Sequence, residues 1–214
     1  MQNNYQEWLW SKWAEISIKN LKENGFDAIF VPSTTEARTI ILDRFSSYDS
    51  YGVGGSDTIR KIGILEDLRA MGKTIYDHWQ EGLSGEENLD IRLKQGRCDC
   101  FFCSANGISL TGEIVNVDGV GNRTNAMTFG PKKVVMVAGM NKMVEDLAAA
   151  IKRVHDIAAP MRAKSLEMQT PCAETGICND CKSPQRICRV TTILHRRPML
   201  TDMTVILINE NLGF

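Results

Sequence analysis

No stretch of the 214 residues approaches the roughly 20 consecutive apolar positions that a membrane-spanning helix requires. A leader pattern is missing as well. The opening MQNNYQEWLWSKW has neither a basic stretch followed by an apolar one nor an Arg-rich amphipathic presequence, so a cytoplasmic location is expected. Charge of one sign is not in excess. Lys and Arg number 25 against 26 Asp and Glu, a formal net charge of -1, which excludes a global attraction to nucleic acid or to anionic lipid. Any charged ligand must then be held locally. There is no internal repeat and no low-complexity tract. Histidine is scarce, and His78, His155 and His195 show no ligand spacing, so they read as structural or solvated.

What remains is the composition of an ordinary folded protein, with 43% hydrophobic and 24% charged residues, of a length that α/β proteins occupy as one domain. Residues 1–214 are therefore read as a single unit. Tyr5, Trp8, Leu9, Trp13 and Ile16 recur at helical spacing in a first helix that stops at Gly25. Trp10 lies off that stripe, where it packs either on another subunit or on a neighbouring loop, and this Trp-rich helix suits a homodimer. Asp27 to Val31 reads as a strand, and Ser33 with Glu36 reads as a capping box opening a helix to about Phe45. The alternation repeats through Tyr51 to Val53, a helix after Thr58, a strand at Lys73 to Tyr76 and helical residues to about Gln95. Alternating strands and helices predict an α/β fold, a mainly parallel sheet with helices on both faces. Further strands are expected at Cys100 to Cys103, Ile108 to Leu110, Glu113 to Val117, Lys133 to Ala138, Val190 to Leu194 and Met203 to Ile208. A long helix is expected from Asn141 to about Glu167.

The cysteines number seven and fall in two clusters, unlike a disulfide framework. Cys172, Cys178, Cys181 and Cys188 form a C-x5-C-x2-C-x6-C array within residues 170–189, with Gly176 and Pro184 interrupting regular structure between them. Four soft thiolates suit an iron–sulfur cluster, of 4Fe-4S type, or tetrahedral zinc. The single C-x2-C pair, without the second knuckle of a zinc ribbon, favours the cluster over zinc, with disulfides or free thiols as the remaining reading. Cys98, Cys100 and Cys103 read as small buried hydrophobes, the first two on one face of a strand, with Cys103 nearest a ligand.

Gly54, Gly55, Ser56 and Thr58 lie between an apparent strand and helix. Either they present free backbone N–H groups to an anion, or they form a tight turn with Ser56 or Asp57 as helix cap. From Ser104 to Lys133 small and polar residues are denser than connections need. Within this stretch Glu113, in an otherwise apolar strand, is a candidate catalytic carboxylate and Arg123 a candidate anion clamp.

Taken together, Gly54-Gly55-Ser56-x-Thr58, Ser104-Ala105-Asn106-Gly107-Ile108, Thr111-Gly112-Glu113-Ile114-Val115-Asn116, Asp118-Gly119-x-Gly121-Asn122-Arg123, Gly130-Pro131-Lys132-Lys133-Val134, Asn141-Lys142 and Thr170-Pro171-Cys172-Ala173 resemble the LUD-domain (lactate utilization) family, from about residue 10 to the C-terminus. The resemblance implies the fold of ribose-phosphate isomerases and CoA transferases. It implies that Gly54, Gly55, Ser56 and Thr58 hold a phosphate or carboxylate, while Asn106, Glu113, Asn122 and Arg123 line the cleft. It also implies a role in lactate-type hydroxy or keto acid metabolism beside iron–sulfur partner proteins. The shorter lactate utilization protein C type lacks the cysteine array, so this chain resembles a cluster-bearing subgroup. Two classes of function follow: a redox component that relays electrons through the cluster, or a non-redox isomerase, transferase or lyase using Glu113 as base or nucleophile. A metabolite- and redox-sensing regulator is the third.

Overall fold

A computed structural model describes residues 4–214. Helix α1 (Asn4–Glu23) leads into β1 (Asp27–Val31), α2 (Thr34–Phe45), β2 (Ser50–Val53), α3 (Asp57–Ile62), α4 (Ile64–Ala70), β3 (Thr74–Asp77), α5 (Gly85–Gln95) and β4 (Cys100–Cys103). The helix starts are written in side chains. Ser33 accepts from the Glu36 N–H, Ser56 from that of Ile59, and Ser84 and Glu87 form a reciprocal capping box. Each such cap stabilises its helix by about 1 kcal/mol. The second half runs β5 (Gly107–Ser109), β6 (Ile114–Asp118), α6 (Asn122–Thr128) and β7 (Lys133–Gly139). After a 3-10 turn (Met140–Lys142) come β8 (Met143–Val144), α7 (Leu147–Arg153), a π-helical stretch (Val154–Ala158), α8 (Ala159–Ser165), α9 (Pro171–Thr175), β9 (Val190–Leu194) and β10 (Asp202–Ile208).

The main sheet has six strands in the order β1-β10-β7-β4-β2-β3, and every neighbouring pair is parallel. Parallel strands buried on both faces read as continuous apolar runs, and β7 and β10 do. Side chains alternate between two cores. Phe101, Val134, Met136, Val205 and Leu207 pack with α1 and α6 on one face. Phe102, Val135, Val137, Ile206 and Ile208 pack with α2, α3 and α4 on the other. A smaller four-stranded sheet, β8-β5-β6-β9, is mixed: β5 and β6 pair antiparallel, as do β6 and β9, while β5 and β8 are parallel. The expected α/β class with a mainly parallel, helix-covered sheet is therefore the one observed.

Four local readings change. The helix expected from Asn141 is broken: Asn141 and Lys142 form a turn, Met143–Val144 joins the small sheet, and a new helix starts at Asp146, whose carboxylate accepts from the Ala149 N–H at 2.8 Å. Helix α6 forms where a polar loop is expected, because Ala126 and Met127 are fully buried and that burial overrides the turn-like composition around them. In α1 the inward face is Trp10, Trp13, Ala14 and Leu21, so Trp10 packs on its own core, while Tyr5, Trp8, Leu9 and Ile16 are exposed. Cys98 and Cys100 do not share a face. The strand begins at Cys100, and Cys98 sits in the preceding turn with its thiol directed to the Gln95 and Cys100 carbonyls, so the two thiols enter opposite cores.

Candidate active site

Parallel strands all end on the same side, and the loops that leave their carboxyl ends are where such folds build ligand clefts. Here β2 delivers Gly55 to Thr58, β3 delivers His78 and Trp79, β4 delivers Ser104 to Asn106, β7 delivers Lys142, and the segment after β10 delivers Gly213. Together with Arg92, Asp118, Asn122, Arg123 and Arg162 they line a cavity of about 300 Å³, the lower end of the range for small-molecule sites.

Close packing explains the two glycines. A Cβ on Gly55 would lie 2.7 Å from Trp79 Cζ2, and one on Gly54 would lie 3.0 Å from Arg123 Cγ and Cδ. The Gly54 N–H is already donated to the Phe102 carbonyl at 3.0 Å, extending the sheet, and Ser56 caps α3. The segment is a tight turn with Ser56 as the helix cap. Gly55, Ser56 and Thr58 face the cavity, whereas Gly54 supports Arg123 from beneath.

Arg123 is a buried strut. Its guanidinium donates to Asp118 at 2.9 Å, to the Ser104 and Val117 carbonyls at 3.2 and 2.7 Å, and to Asn106 Oδ1 at 2.9 Å. Asn106 Oδ1 also accepts from the Val117 N–H, so Asn106 and Arg123 lock the small sheet to the end of β4. Asn122 accepts from Arg92 at 2.9 Å and donates to Gln95 at 3.0 Å, aiming the arginine that Asn88 holds from the other side. Trp79 is stacked between Arg60 and Arg162, each guanidinium carbon 4.5 Å from a ring centroid, and Arg162 reaches Asp57 at 3.3 Å.

Two cleft residues carry signals that the sequence reading passed over. Lys142 is 3% exposed, donates to Ser104 Oγ at 2.9 Å and Thr58 Oγ1 at 3.3 Å, and is pushed down to about 7 by burial and by the nearby Arg153 and Arg123 guanidiniums. The usable signal is a lysine three residues past the apolar run of a central parallel strand. His78 is pushed down to about 4, mainly by burial and then by Arg92, and so is neutral at pH 7. Of the cleft's charged side chains, Asp118 is paired with Arg123 and Asp57 with Arg162. Lys142 and Arg92 have no carboxylate at ion-pair distance among the described residues.

The LUD-domain family model matches residues 14–208. The chain belongs to the LUD-domain family. A crystal structure of a DUF162 family protein from Deinococcus radiodurans has a similar fold, with a TM-score of 0.55 at 14% identity over 93% of this chain and 98% of that one. No curated protein matches the sequence. Family membership fits a lactate-utilization-related function.

Glu113 lies apart from the cavity of this LUD domain. Its carboxylate is held by the Ser109 and Thr111 hydroxyls in the hairpin between β5 and β6. Burial alone would raise its pKa, but those hydroxyl bonds bring it below the usual glutamate value, so it closes a turn and is a poor proton acceptor. The motif that carries the resemblance thus supplies both cleft residues and hairpin residues.

The four cysteines of the tail are half-buried and unpaired. Arg186 organises them from behind, donating to the Cys181 and Cys188 carbonyls at 2.8 Å each and pairing with Asp180 at 2.7 Å. Cys178 Sγ lies 3.7 Å from His155 Nδ1, and Cys172 Sγ lies 3.5 Å from Thr170 Oγ1. Burial raises the Cys188 thiol, and Arg186 partly offsets that shift. The donor chemistry suits a soft metal. The geometry does not yet assemble one, since no three His, Cys, Asp or Glu side chains are grouped to hold an ion among the described residues. The segment touches the cleft at Ile187, which lines the cavity and packs on Gly119.

Proposed function

We propose that this protein binds a small carboxylate of the hydroxy or keto acid type in the cleft at the carboxyl ends of the main sheet, as a component of lactate-type metabolism. The observation that carries this reading is that Arg92, with the Lys142 amine beside it, faces the cavity without a carboxylate partner among the described residues, while Asp118 and Asp57 are paired with Arg123 and Arg162. In a cavity partly closed to water, an unpaired cation favours an anion more than it would in bulk solution. Ser56, Thr58 and Ser104 add hydroxyls for a substrate carboxylate or 2-oxygen, and the apolar walls at Ala105, Val154 and Ala158 limit its bulk. Titration calorimetry with lactate and pyruvate tests this. Binding weakened about tenfold by Arg92→Gln, the loss of one charge-assisted contact, supports it; no binding of either acid removes it.

The finer part of the proposal is a redox role in which Cys172, Cys178, Cys181 and Cys188 hold an iron–sulfur cluster, or zinc, and serve iron–sulfur partner proteins. The donor set supports it, as does the placement of Ile187 between the array and the cleft. A cluster there would supply one-electron chemistry. Anaerobic purification with iron, sulfide and zinc analysis tests it, and a preparation free of all three ends it. The non-redox alternative gains a different residue from the geometry, Lys142 in place of Glu113. The exposed apolar stripe of α1, Tyr5, Trp8, Leu9 and Ile16, supports a homodimer as partner, which sedimentation of the intact chain tests.

A further inference from the structure

Of the cations lining the cleft, Lys142 is held in the least expected way. Its backbone is clamped: Arg153 Nε donates to the Asn141 carbonyl at 3.2 Å, and Asn141 Oδ1 accepts from the Leu212 N–H at 3.0 Å. Among the described residues its amine hydrogen-bonds to two neutral hydroxyls, Ser104 and Thr58. A buried ammonium ordinarily has a carboxylate beside it, because desolvation and like charges both penalise the charged form. Here the guanidiniums of Arg153 and Arg123 act on it more strongly than the carboxylate of Asp57. A lysine whose whole task was to anchor a carboxylate would be better placed at the polar rim, where Arg92 and Arg162 stand half-buried. A buried, rigidly based amine hydrogen-bonded to hydroxyls is instead the arrangement of a nucleophile.

We propose that Lys142 forms an imine with the carbonyl carbon of a 2-oxo acid bound in the cleft. This rests on the carboxylate-binding reading and deepens it, from a site that holds a small acid to one that reacts with its keto form. The amine lone pair attacks C2 and a C–N bond forms. The carbonyl oxygen takes one amine proton through the Ser104 hydroxyl, which accepts from Nζ and can pass its own proton on. The C–O bond of the resulting carbinolamine then breaks, and water leaves with the second amine proton. No oxidant or reductant is needed: one water is released for each C=N bond formed. Lys142 is neutral in a substantial fraction of molecules near pH 7, since its pKa is pushed down to about 7, so no additional base is required to free the lone pair. Thr58, bonded both to Nζ and to the Leu212 carbonyl, orients the amine.

The test is reductive trapping on the intact protein. Pyruvate and sodium cyanoborohydride are added, and the modified lysine is located by peptide mass mapping. The expected result is one reduced pyruvate adduct, on Lys142, suppressed by excess lactate and absent from Lys142→Arg. Because that variant keeps a long cation in place, its pyruvate binding is measured by calorimetry alongside. If wild-type protein binds lactate or pyruvate but carries no adduct on Lys142, the imine is overturned while the carboxylate site stands. If neither acid binds and no adduct forms, both readings fall together. Adducts spread over exposed lysines, unaffected by lactate and equal in Lys142→Arg, also overturn the proposal.

Discussion

Around the cleft, polar atoms are committed to one another. Arg123 spends its guanidinium on Asp118, Asn106 and two carbonyls, and Asn122 spends both ends of its amide on Arg92 and Gln95. The cysteine segment differs: four half-buried thiols with no disulfide among them, on a backbone tied by Arg186, Arg189, Ser183 and Gln185. One region is organised by the fold before any ligand arrives. The other keeps its thiols unbridged. A preformed site is expensive to break by mutation, whereas a segment that awaits its ligand can lose side chains at little cost to the fold.

The largest effect should come from Asp118→Ala. Arg123 and Asp118 are 11% and 10% exposed in their side chains, and removing one partner of such a buried pair costs about 3–5 kcal/mol by leaving a charge uncompensated. Urea denaturation measures it. A loss under 1 kcal/mol would mean that the strut is solvated in solution and that the cleft is less rigid than its hydrogen bonds imply. Gly55→Ala should come next. The added methyl must displace the Trp79 ring from between Arg60 and Arg162, at about 1–3 kcal/mol for overpacking, and lactate binding should weaken with it.

A third effect sets the cleft against the buried core by pH. Lys142 is pushed down to about 7 from an ordinary 10.5, so between those values the unfolded chain binds the extra proton and stability rises with pH. Cys98 and Cys103 act in the other sense. Burial pushes both up to about 12 from 9.0, so above about 9 the unfolded chain sheds protons that the folded chain keeps, and stability falls. A maximum is expected between, with a gain of about 1–2 kcal/mol on the rising limb from the Lys142 shift. Lys142→Met should flatten that limb and leave the falling one. Denaturation curves across pH 7 to 10 check both signs.

The parallel sheet was legible because its strands are buried on both faces: runs such as Lys133 to Ala138 and Met203 to Ile208 carry their own pattern. Cap chemistry marked the helix starts at Ser33 and Ser56 in the same way. The inward face of α1 was not legible, since Trp8 and Trp10 are alike in composition and only the position of the sheet decides which is buried. Glu113 and Lys142 show the same limit at the site. A carboxylate in an apolar strand and a lysine after one both break the local pattern, and which of them reaches the cleft depends on where β5, β6 and β7 end in space. The local spacing of Cys172 to Cys188 speaks for metal-ligand chemistry, but convergence on one point is a tertiary property that spacing does not determine.

The smallest effect should be at those cysteines. Replacing Cys172, Cys178, Cys181 and Cys188 together by Ser in metal-free protein should change stability by less than about 0.5 kcal/mol, as for surface positions with few partners. A single Cys100→Ser should cost about 1–3 kcal/mol, because a hydroxyl would be placed in an apolar core without a partner. Iodoacetamide labelling gives the same contrast by reactivity: the four tail thiols should react in the native state, and Cys98, Cys100 and Cys103 only on unfolding. A large cost for the fourfold variant without metal would make the segment part of the fold and erase the contrast. If metal-loaded protein alone is destabilised by the replacement, the difference between the two preparations measures what the bound metal adds to the segment.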